Sequence, residues 1–437
     1  MKVLSKTLTF KGGIHPPYFK ELSSHKAIED CPLPEKVIIP LRQHRGHTCE
    51  PLVQKGDTVQ AGQKIASSNQ FISAPIHASV SGKVLSIEPK REPTGEIIPS
   101  IIIKTDTENQ EVVKLKPLDD NASDQEIIER VKETGIVGLG GSAFPAHAKL
   151  QPPKEHSIKT LIANGCECEP FLTSDHRQMV EEADELIDGI KLEMKVIGAE
   201  ECIIAVEDNK ADCLAILVEK TKDISSIGVQ PVATKYPQGE SNVLVKTILG
   251  LEVPHGIRTT SIGVMVQNVG TIIAISKAVR KGEALTHKVV TISGAGVKTP
   301  KNLRAPIGIP ARDLINAAGG FSVSEGRVIF GGPMTGFVQF DLEAPLVKGS
   351  AGMTVIPEKQ AESYKFEPCI RCARCVDVCP MGLIPSQLSI LSELGYYERL
   401  EELYVSECME CGCCTYVCPG KRPIVNHIKL AKYKLKG

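Results

Sequence analysis

Apolar positions along the 437 residues change their period several times, and each change marks an element boundary. Over residues 37–104, short β-branched runs such as VIIPL and GKVLSI alternate with polar breaks. Lys55-Gly56-Asp57 and Ala61-Gly62-Gln63 are turn chemistry between predicted strands. A polar, proline-containing connector (115–124) leads to Ser123-Asp124-Gln125-Glu126, a capping box that opens a helix. Its apolar stripe is Ile127, Ile128 and Val131, and Gly135 ends it. A buried strand is predicted over 160–163, one long helix over 176–198, a strand over 201–208, a helix over 211–223 and a strand over 227–234. That βαβαβ order predicts an α/β unit. A helix over 242–251 and a strand–turn–helix over 263–278 extend it. From Lys288 onward short strands and one helix return, which predicts a small α+β unit. Residues 386–404 and the basic tail 425–437 read as helices, the tail either solvated or touching acidic lipid or a partner.

Composition adds limits. Hydrophobic residues at 42% and charged ones at 24% describe a globular chain, for which the length predicts about three domains. The formal net charge of −1, with no long basic run, predicts no nucleic-acid partner. The first ten residues lack the apolar core of a signal peptide, and no stretch is long and apolar enough for a transmembrane span. With aromatics at 4% and no Trp, the cores are expected to be aliphatic.

Nine of the fifteen cysteines crowd into two runs, Cys369-Ile-Arg-Cys372-Ala-Arg-Cys375-Val-Asp-Val-Cys379-Pro and Cys408-Met-Glu-Cys411-Gly-Cys-Cys414-Thr-Tyr-Val-Cys418-Pro. Both fit C-x2-C-x2-C-x3-C-P, the run that holds a [4Fe–4S] cluster; the fourth cysteine of each run ligates the other cluster. The expected sets are Cys369, Cys372, Cys375 with Cys418, and Cys408, Cys411, Cys414 with Cys379. Zinc knuckles lack the third cysteine and the C-P ending. A disulfide framework belongs to short secreted chains. Cys413 lies off the spacing. The chain carries electrons.

A second informative stretch is the glycine loop G-L-G-G-S-A-F-P over 138–145. Gly138, Gly140 and Gly141 allow close backbone approach, so their N–H groups suit a phosphate or a flat ring. The loop follows a helix, so its loose G-x-G-x-x-A lettering fails the context of a dinucleotide fingerprint. Lys149 is either a phosphate-binding cation or a solvated surface lysine. The strand over 160–163 ends in Asn164-Gly-Cys166-Glu167-Cys168-Glu169-Pro170, and strand ends are where open α/β sheets place ligands. Cys166 and Cys168 are spaced too closely for a metal knuckle and read as core or loop residues. Glu240 follows a Tyr236 turn, and Asn268-Val-Gly-Thr271 opens a helix.

The pattern V-x-K-G-D-x-V-x-x-G-Q, then A-P and S-G-K-V, resembles the biotinyl/lipoyl-like barrel-sandwich hybrid. Its hairpin here reads Ser68-Asn69-Gln70, without the carrier lysine, so a structural or docking role is expected. The glycine loop with Lys149, the N-G-x-E-x-E-P run, Tyr236 to Glu240 and Asn268 to Thr271 together resemble the NADH-binding flavoprotein subunit of respiratory complex I. That resemblance implies FMN held by Gly138, Gly140, Lys149, Asn164, Asn268 and Thr271. It implies Phe144 on the nicotinamide side, and Glu167, Glu169 and Glu240 facing NADH. Cys166, Ser241, Gly270 and Leu150 depart from that family's letters. The whole order resembles the C-subunit family of Rnf-type ion-translocating ferredoxin:NAD+ oxidoreductases. It implies a multidomain α/β and α+β protein: a barrel-sandwich hybrid (1–115), a Rossmann-like FMN/NADH core (116–285), a β-grasp, SLBB-like domain (286–360) and a two-cluster ferredoxin-like domain (361–437). NAD(H) and other members of a membrane redox complex, including an iron–sulfur or ferredoxin partner, are the implied partners. The implied place is peripheral, on the cytoplasmic face of the inner membrane. No side chain is expected to act as a catalytic acid or base. A flavin-free iron–sulfur adaptor and a cobalamin-reductase-like protein of the same architecture are the competing expectations.

Overall fold

A computed structural model describes residues 6–153, 155–322, 326–361 and 365–436. The chain forms four folded units. In the first, strands Lys36–Pro40, Ile97–Thr105, Gly82–Arg91 and Thr58–Val59 make one antiparallel sheet. Glu50–Pro51, Lys64–Ser67 and Ile76–His77 make a second. Their alternating β-branched residues meet inside, where Val37, Ile39, Ile65, Ile76, Ile101 and Ile103 are fully buried.

The second unit begins with α1 (Asp124–Glu133), whose capping box forms as the letters predict. Then follow β1 (Thr160–Gly165), α2 (Ser174–Glu181), α3 (Ala183–Ile197), β2 (Glu201–Glu207), α4 (Ala211–Thr221), β3 (Ile227–Val232), α5 (Ser241–Leu249), β4 (Val264–Asn268) and α6 (Val269–Lys281). The sheet order is β3-β2-β1-β4, all parallel. The strands read as continuous apolar runs because helices cover them. Gly189 brings α3 onto α6: a Cβ there would stand 2.3 Å from the Ile272 carbonyl oxygen. A mid-helix glycine costs about 0.5–1 kcal/mol. Burying Leu186, Ile190, Ile272 and Ile273 returns about 1.5–3 kcal/mol each, so packing wins.

The helix expected over 176–198 is two helices. The break is Glu182 (φ −122°, ψ 33°), whose buried carboxylate accepts from Gln178, Lys277 and Arg304 and so leaves the helical path.

The third unit is a six-stranded mixed sheet in the order Ile28–Asp30, Lys301–Pro306, His287–Ser293, Gly352–Pro357, Gly326–Phe330, Phe337–Gln339, with helix Ala311–Ala317 on it. Its edge strand Ile28–Asp30 thus comes from ahead of the barrel and pairs parallel with Lys301–Pro306. In the fourth unit, Pro385–Glu393 packs on Ile424–Lys436 over Leu388, Leu391, Ile424, Ile428 and Ala431. The helix expected over 386–404 stops at Glu393, where Gly395 (φ +79°) supplies a left-handed turn. The basic terminal helix buries one face and exposes Tyr433.

Residues 8–14 strap the second unit to the fourth. Leu8 donates to Pro231 and accepts from Ala233, Ile14 pairs with Tyr236, and the Gly13 N–H reaches the Val378 carbonyl at 2.9 Å. Among the described residues no helix is long and apolar enough to cross a membrane.

Candidate functional site

Strand order reverses between β1 and β4, and the crevice beyond the carboxyl ends at such a switch point is where α/β sheets bind ligands. Asn164 and Asn268 close these two strands in register with each other. Asn268 caps α6 by accepting from the Thr271 N–H, and its amide donates to Asp175 at 2.7 Å. Burial, then the negative charge of Glu167, push the Asp175 carboxyl up to about 7. Asn164 donates to the Gly239 carbonyl at 2.8 Å and accepts from the Cys166 N–H.

The glycine loop lies on this rim. The Leu139 N–H donates to the Thr271 hydroxyl at 2.8 Å. A Cβ on Gly140 would stand 3.1 Å from the Asn268 side chain, and one on Gly138 would stand 2.3 Å from Ser142 Oγ. Gly140, Gly141 and Ser142 are exposed, and their N–H groups find no acceptor among the described residues. Gly138, Gly140, Asn164, Asn268 and Thr271 therefore come together, with free amides suited to a phosphate.

The three glutamates serve backbone amides. Glu167, at φ +47°, caps α2 by accepting from Asp175 N (2.7 Å), His176 N and Ser174 Oγ. Glu240 caps α5 through Asn242 N and Val243 N, and burial raises its pKa. Glu169 accepts from the Met334 and Thr335 N–H groups and the Thr335 hydroxyl, and burial raises it also. Phe144 is half-buried with the Arg258 guanidinium 5.7 Å from its ring centre. Lys149 does not extend to the loop; it donates to Val266 O and to Gln267 Oε1 (2.9 Å) beneath the sheet end. Burial lowers it to about 8, and Glu193 is its countercharge.

Four buried lysines, to which no local letter pattern points, hold the two loops from below. Lys20 donates to the carbonyls of Glu167 (2.7 Å), Glu169 (2.9 Å) and Leu172 (2.6 Å). Lys210 donates to Cys166 O and Glu207. Lys288 donates to Leu139 O and Lys348 O, and Lys348 to Gly135 O and Pro75 O. Hydrogen bonds from a charged donor contribute about 1.5–3 kcal/mol each, so two or three per ammonium offset a desolvation cost of several kcal/mol.

The eight spaced cysteines line two small cavities in the crossed sets. Cys369, Cys372, Cys375 and Cys418 surround one; Cys379, Cys408, Cys411 and Cys414 surround the other, with Cys413 also on its wall. Both loops curl by the same device: Arg371 and Ala373 in one, Glu410 and Gly412 in the other, have φ between +57° and +80°. Left-handed non-glycine residues cost about 1–2 kcal/mol each and concentrate at binding loops. Eight of these nine thiols stand at matching positions of the two loops, and that donor set fits two cubane clusters. Cys413, buried beside Cys411, lies 3.9 Å from the Tyr236 carbonyl oxygen and packs with Cys168.

A cleft of about 840 Å³ runs from the glycine loop to Met409; of the residues expected to hold flavin or NADH, Gly140 is the one in its lining. Its walls include Gly140 to Ala143 of the glycine loop, Phe330 and Thr335 of the third unit, and Met409, which also lines the second cysteine cavity. Glu169 stands behind Thr335, and Ser174, beside Glu167, donates to Ala351 on the wall. A cleft of this size, floored by free amides and separated from a cysteine cavity by Met409, fits FMN.

Family models match in chain order: an RnfC barrel sandwich hybrid domain over 8–108, a Nuo51 FMN-binding domain over 131–277, an SLBB domain over 289–338 and a 4Fe-4S dicluster domain over 362–419. The chain is 42% identical over 428 residues to the C subunit of the proton-translocating ferredoxin:NAD(+) oxidoreductase complex of Clostridium ljungdahlii, covering 97% of this chain and 93% of that one. It is 40% identical over 430 residues to the C subunit of the Na(+)-translocating ferredoxin:NAD(+) oxidoreductase complex of Acetobacterium woodii, covering 98% and 97%. Identity to the C subunit of the ion-translocating oxidoreductase complex of Rhodobacter capsulatus is 38% over 436 residues, covering 98% and 84%. A chain of an NAD+-reducing [NiFe]-hydrogenase in the H2-reduced state shares the fold, with TM-score 0.50 and 18% identity, over 72% of this chain and 61% of that one.

Proposed function

Because the chain belongs to the C-subunit family of ion-translocating ferredoxin:NAD(+) oxidoreductase complexes, electron-transfer proteins with FMN and two [4Fe–4S] clusters, we propose that it is where NAD(H) exchanges electrons with such a complex. The observation that carries this reading is the shared Met409: the cleft beside the glycine loop and the second cysteine cavity have a wall in common.

In this reading the free amides of Gly140 and Gly141, with Gly138 allowing the turn, receive the FMN phosphate. Asn164, Asn268 and Thr271 orient the rest of the cofactor from the sheet rim. Phe144 stacks on the nicotinamide side, and the loops fixed by Glu167, Glu169 and Glu240 shape the NADH approach. Lys149 acts through Gln267 at the end of β4, since its ammonium lies under the sheet. A bound flavin supplies the change between hydride and single-electron chemistry, which no side chain provides. Burial of Cys375 and Cys414 keeps water from the sulfurs, while exposed Cys372 opens the first cysteine cavity towards a partner. Arg371 and Arg374 are exposed beside it, so an acidic iron–sulfur or ferredoxin partner fits there. The proposed place is the cytoplasmic face of the inner membrane, peripheral; the seven cysteines outside the two ligand sets are unpaired thiols, which suits a reducing compartment.

The test is an absorbance spectrum of the anaerobically purified chain before and after NADH. Bleaching of a bound flavin, followed by cluster reduction, is expected. Clusters reduced only by another protein, with no flavin present, would make the chain an adaptor instead.

A further inference from the structure

The barrel-sandwich unit lacks a carrier lysine, yet its residues 42–46 form one wall of the 840 Å³ cleft, facing the glycine loop. The Arg45 N–H donates to the Ala143 carbonyl at 3.0 Å, so this wall is tied to the loop it faces. Two of its side chains are buried with spare nitrogens. Gln43 is 4% exposed; its Oε1 accepts from the Lys348 N–H, which leaves Nε2 as a donor with no partner among the described residues. His44 is 6% exposed, with Nε2 at 3.0 Å from the His47 carbonyl oxygen and Nδ1 unpartnered among the described residues. A buried donor without an acceptor, as Gln43 Nε2 is, costs about 1–3 kcal/mol and is explained when a ligand supplies the acceptor.

Charge narrows the ligand. Arg42 is committed to Glu96, with Glu92 at 3.9 Å. Arg45 is exposed on the same wall and has no carboxylate partner among the described residues. One free guanidinium and one spare amide donor border the cleft across from the Gly140 and Gly141 amides that receive the FMN phosphate. Guanidinium forks favour phosphate oxygens, and an amide N–H can join them.

We propose that residues 42–46 of the barrel-sandwich unit grip the pyrophosphate of NAD(H), with Arg45 as the cation and Gln43 as the donor. The inference rests on the reading of this cleft as the NAD(H) site. It gives the barrel a binding role in place of a structural one: the dinucleotide is held between two units of the chain, and its nicotinamide end is left for the flavin on the Phe144 side.

The experiment uses the full chain loaded with FMN and clusters, reduced by NADH or by reduced nicotinamide mononucleotide, which lacks the pyrophosphate bridge. Arg45→Ala is expected to raise KM for NADH about tenfold or more, the loss of a charge-assisted contact, and to change it much less for the mononucleotide. Gln43→Leu is expected to act in the same direction. FMN content and thermal midpoint are measured alongside, and both are expected to hold for Arg45→Ala because that side chain is exposed. Equal KM values in wild type and both variants overturn the proposal. Loss of FMN from Arg45→Ala also overturns it, because the wall would then hold the flavin phosphate. A flavin-loaded wild type that NADH does not reduce overturns the functional reading, and this site with it.

Discussion

The Tyr236 hydroxyl donates to the carbonyl of Cys411 at 2.7 Å, so a residue of the flavoprotein core touches the backbone of a cysteine loop. Tyr236→Phe deletes this bond alone, at a cost of about 0.5–1.5 kcal/mol. The expected result is full iron content with one of two EPR signals shifted. Two unshifted signals would show that the contact does not reach the cluster.

The crossed ligand sets can be tested by pairing variants. Cys418→Ala is expected to abolish the same EPR signal as Cys369→Ala, although the two lie in different runs. Cys379→Ala is expected to abolish the other, as Cys408→Ala does. If Cys418→Ala and Cys408→Ala instead remove the same signal, each run holds its own cluster.

Lys20→Met leaves three loop carbonyls without their donor. Breaking such a buried charged contact costs about 3–5 kcal/mol. A lower thermal midpoint together with reduced FMN content is expected, because those carbonyls belong to the loop that follows Asn164. A stable variant with full FMN would sink this account.

Gly140→Ala and Gly141→Ala separate contact from conformation. The first places a Cβ 3.1 Å from Asn268, so Asn268 must shift; the second meets open space but carries φ +103°. Gly140→Ala is expected to weaken FMN binding about tenfold, the equivalent of one hydrogen bond misplaced by the shift. Gly141→Ala is expected to cost about 1 kcal/mol of backbone strain with a smaller effect on FMN. Titration of FMN into the two apo-variants distinguishes them.

His77 gives a pH signature. Burial, then the charges of Lys348 and Lys64, lower it to about 3 from an ordinary 6.5, so the native chain keeps it neutral. The unfolded chain binds a proton below about 6.5 that the native chain refuses until about 3, so this contribution is present above 6.5 and is lost as pH falls. The slope is about 1.4 kcal/mol per pH unit for one proton. Denaturant midpoints of His77→Gln and wild type, compared between pH 7 and pH 4, are expected to converge as pH falls. Parallel curves would contradict it.

What is legible in the letters is local. Each cysteine triplet spans seven residues, the capping box four, and the glycine loop with Asn268 needs only short-range turn and cap chemistry. The four buried lysines are not legible, because their carbonyl partners lie up to hundreds of residues away and lysine normally marks a surface. Lys149 shows the same limit: its place in the run suggests a ligand contact or solvent, and the fold puts its ammonium under β4. Arg42 to Gly46 reads as the end of a barrel strand until the third unit closes the cleft around it. The break at Glu182 depends on Lys277 and Arg304, which no helical period near residue 182 reveals. Gly395, by contrast, is a visible stop inside the run 386–404.

Residues 8–14 leave the ribosome before any surface they contact has been made. Their partners Pro231, Tyr236 and Val378 follow in that order, and domains emerging from synthesis fold as units from the N-terminal side. The C-terminal unit therefore docks last, onto a strap synthesised well ahead of it. Docking buries Cys413 behind Tyr236, while Cys372 stays exposed. The first segment of chain to emerge is thus the last to have its contacts completed.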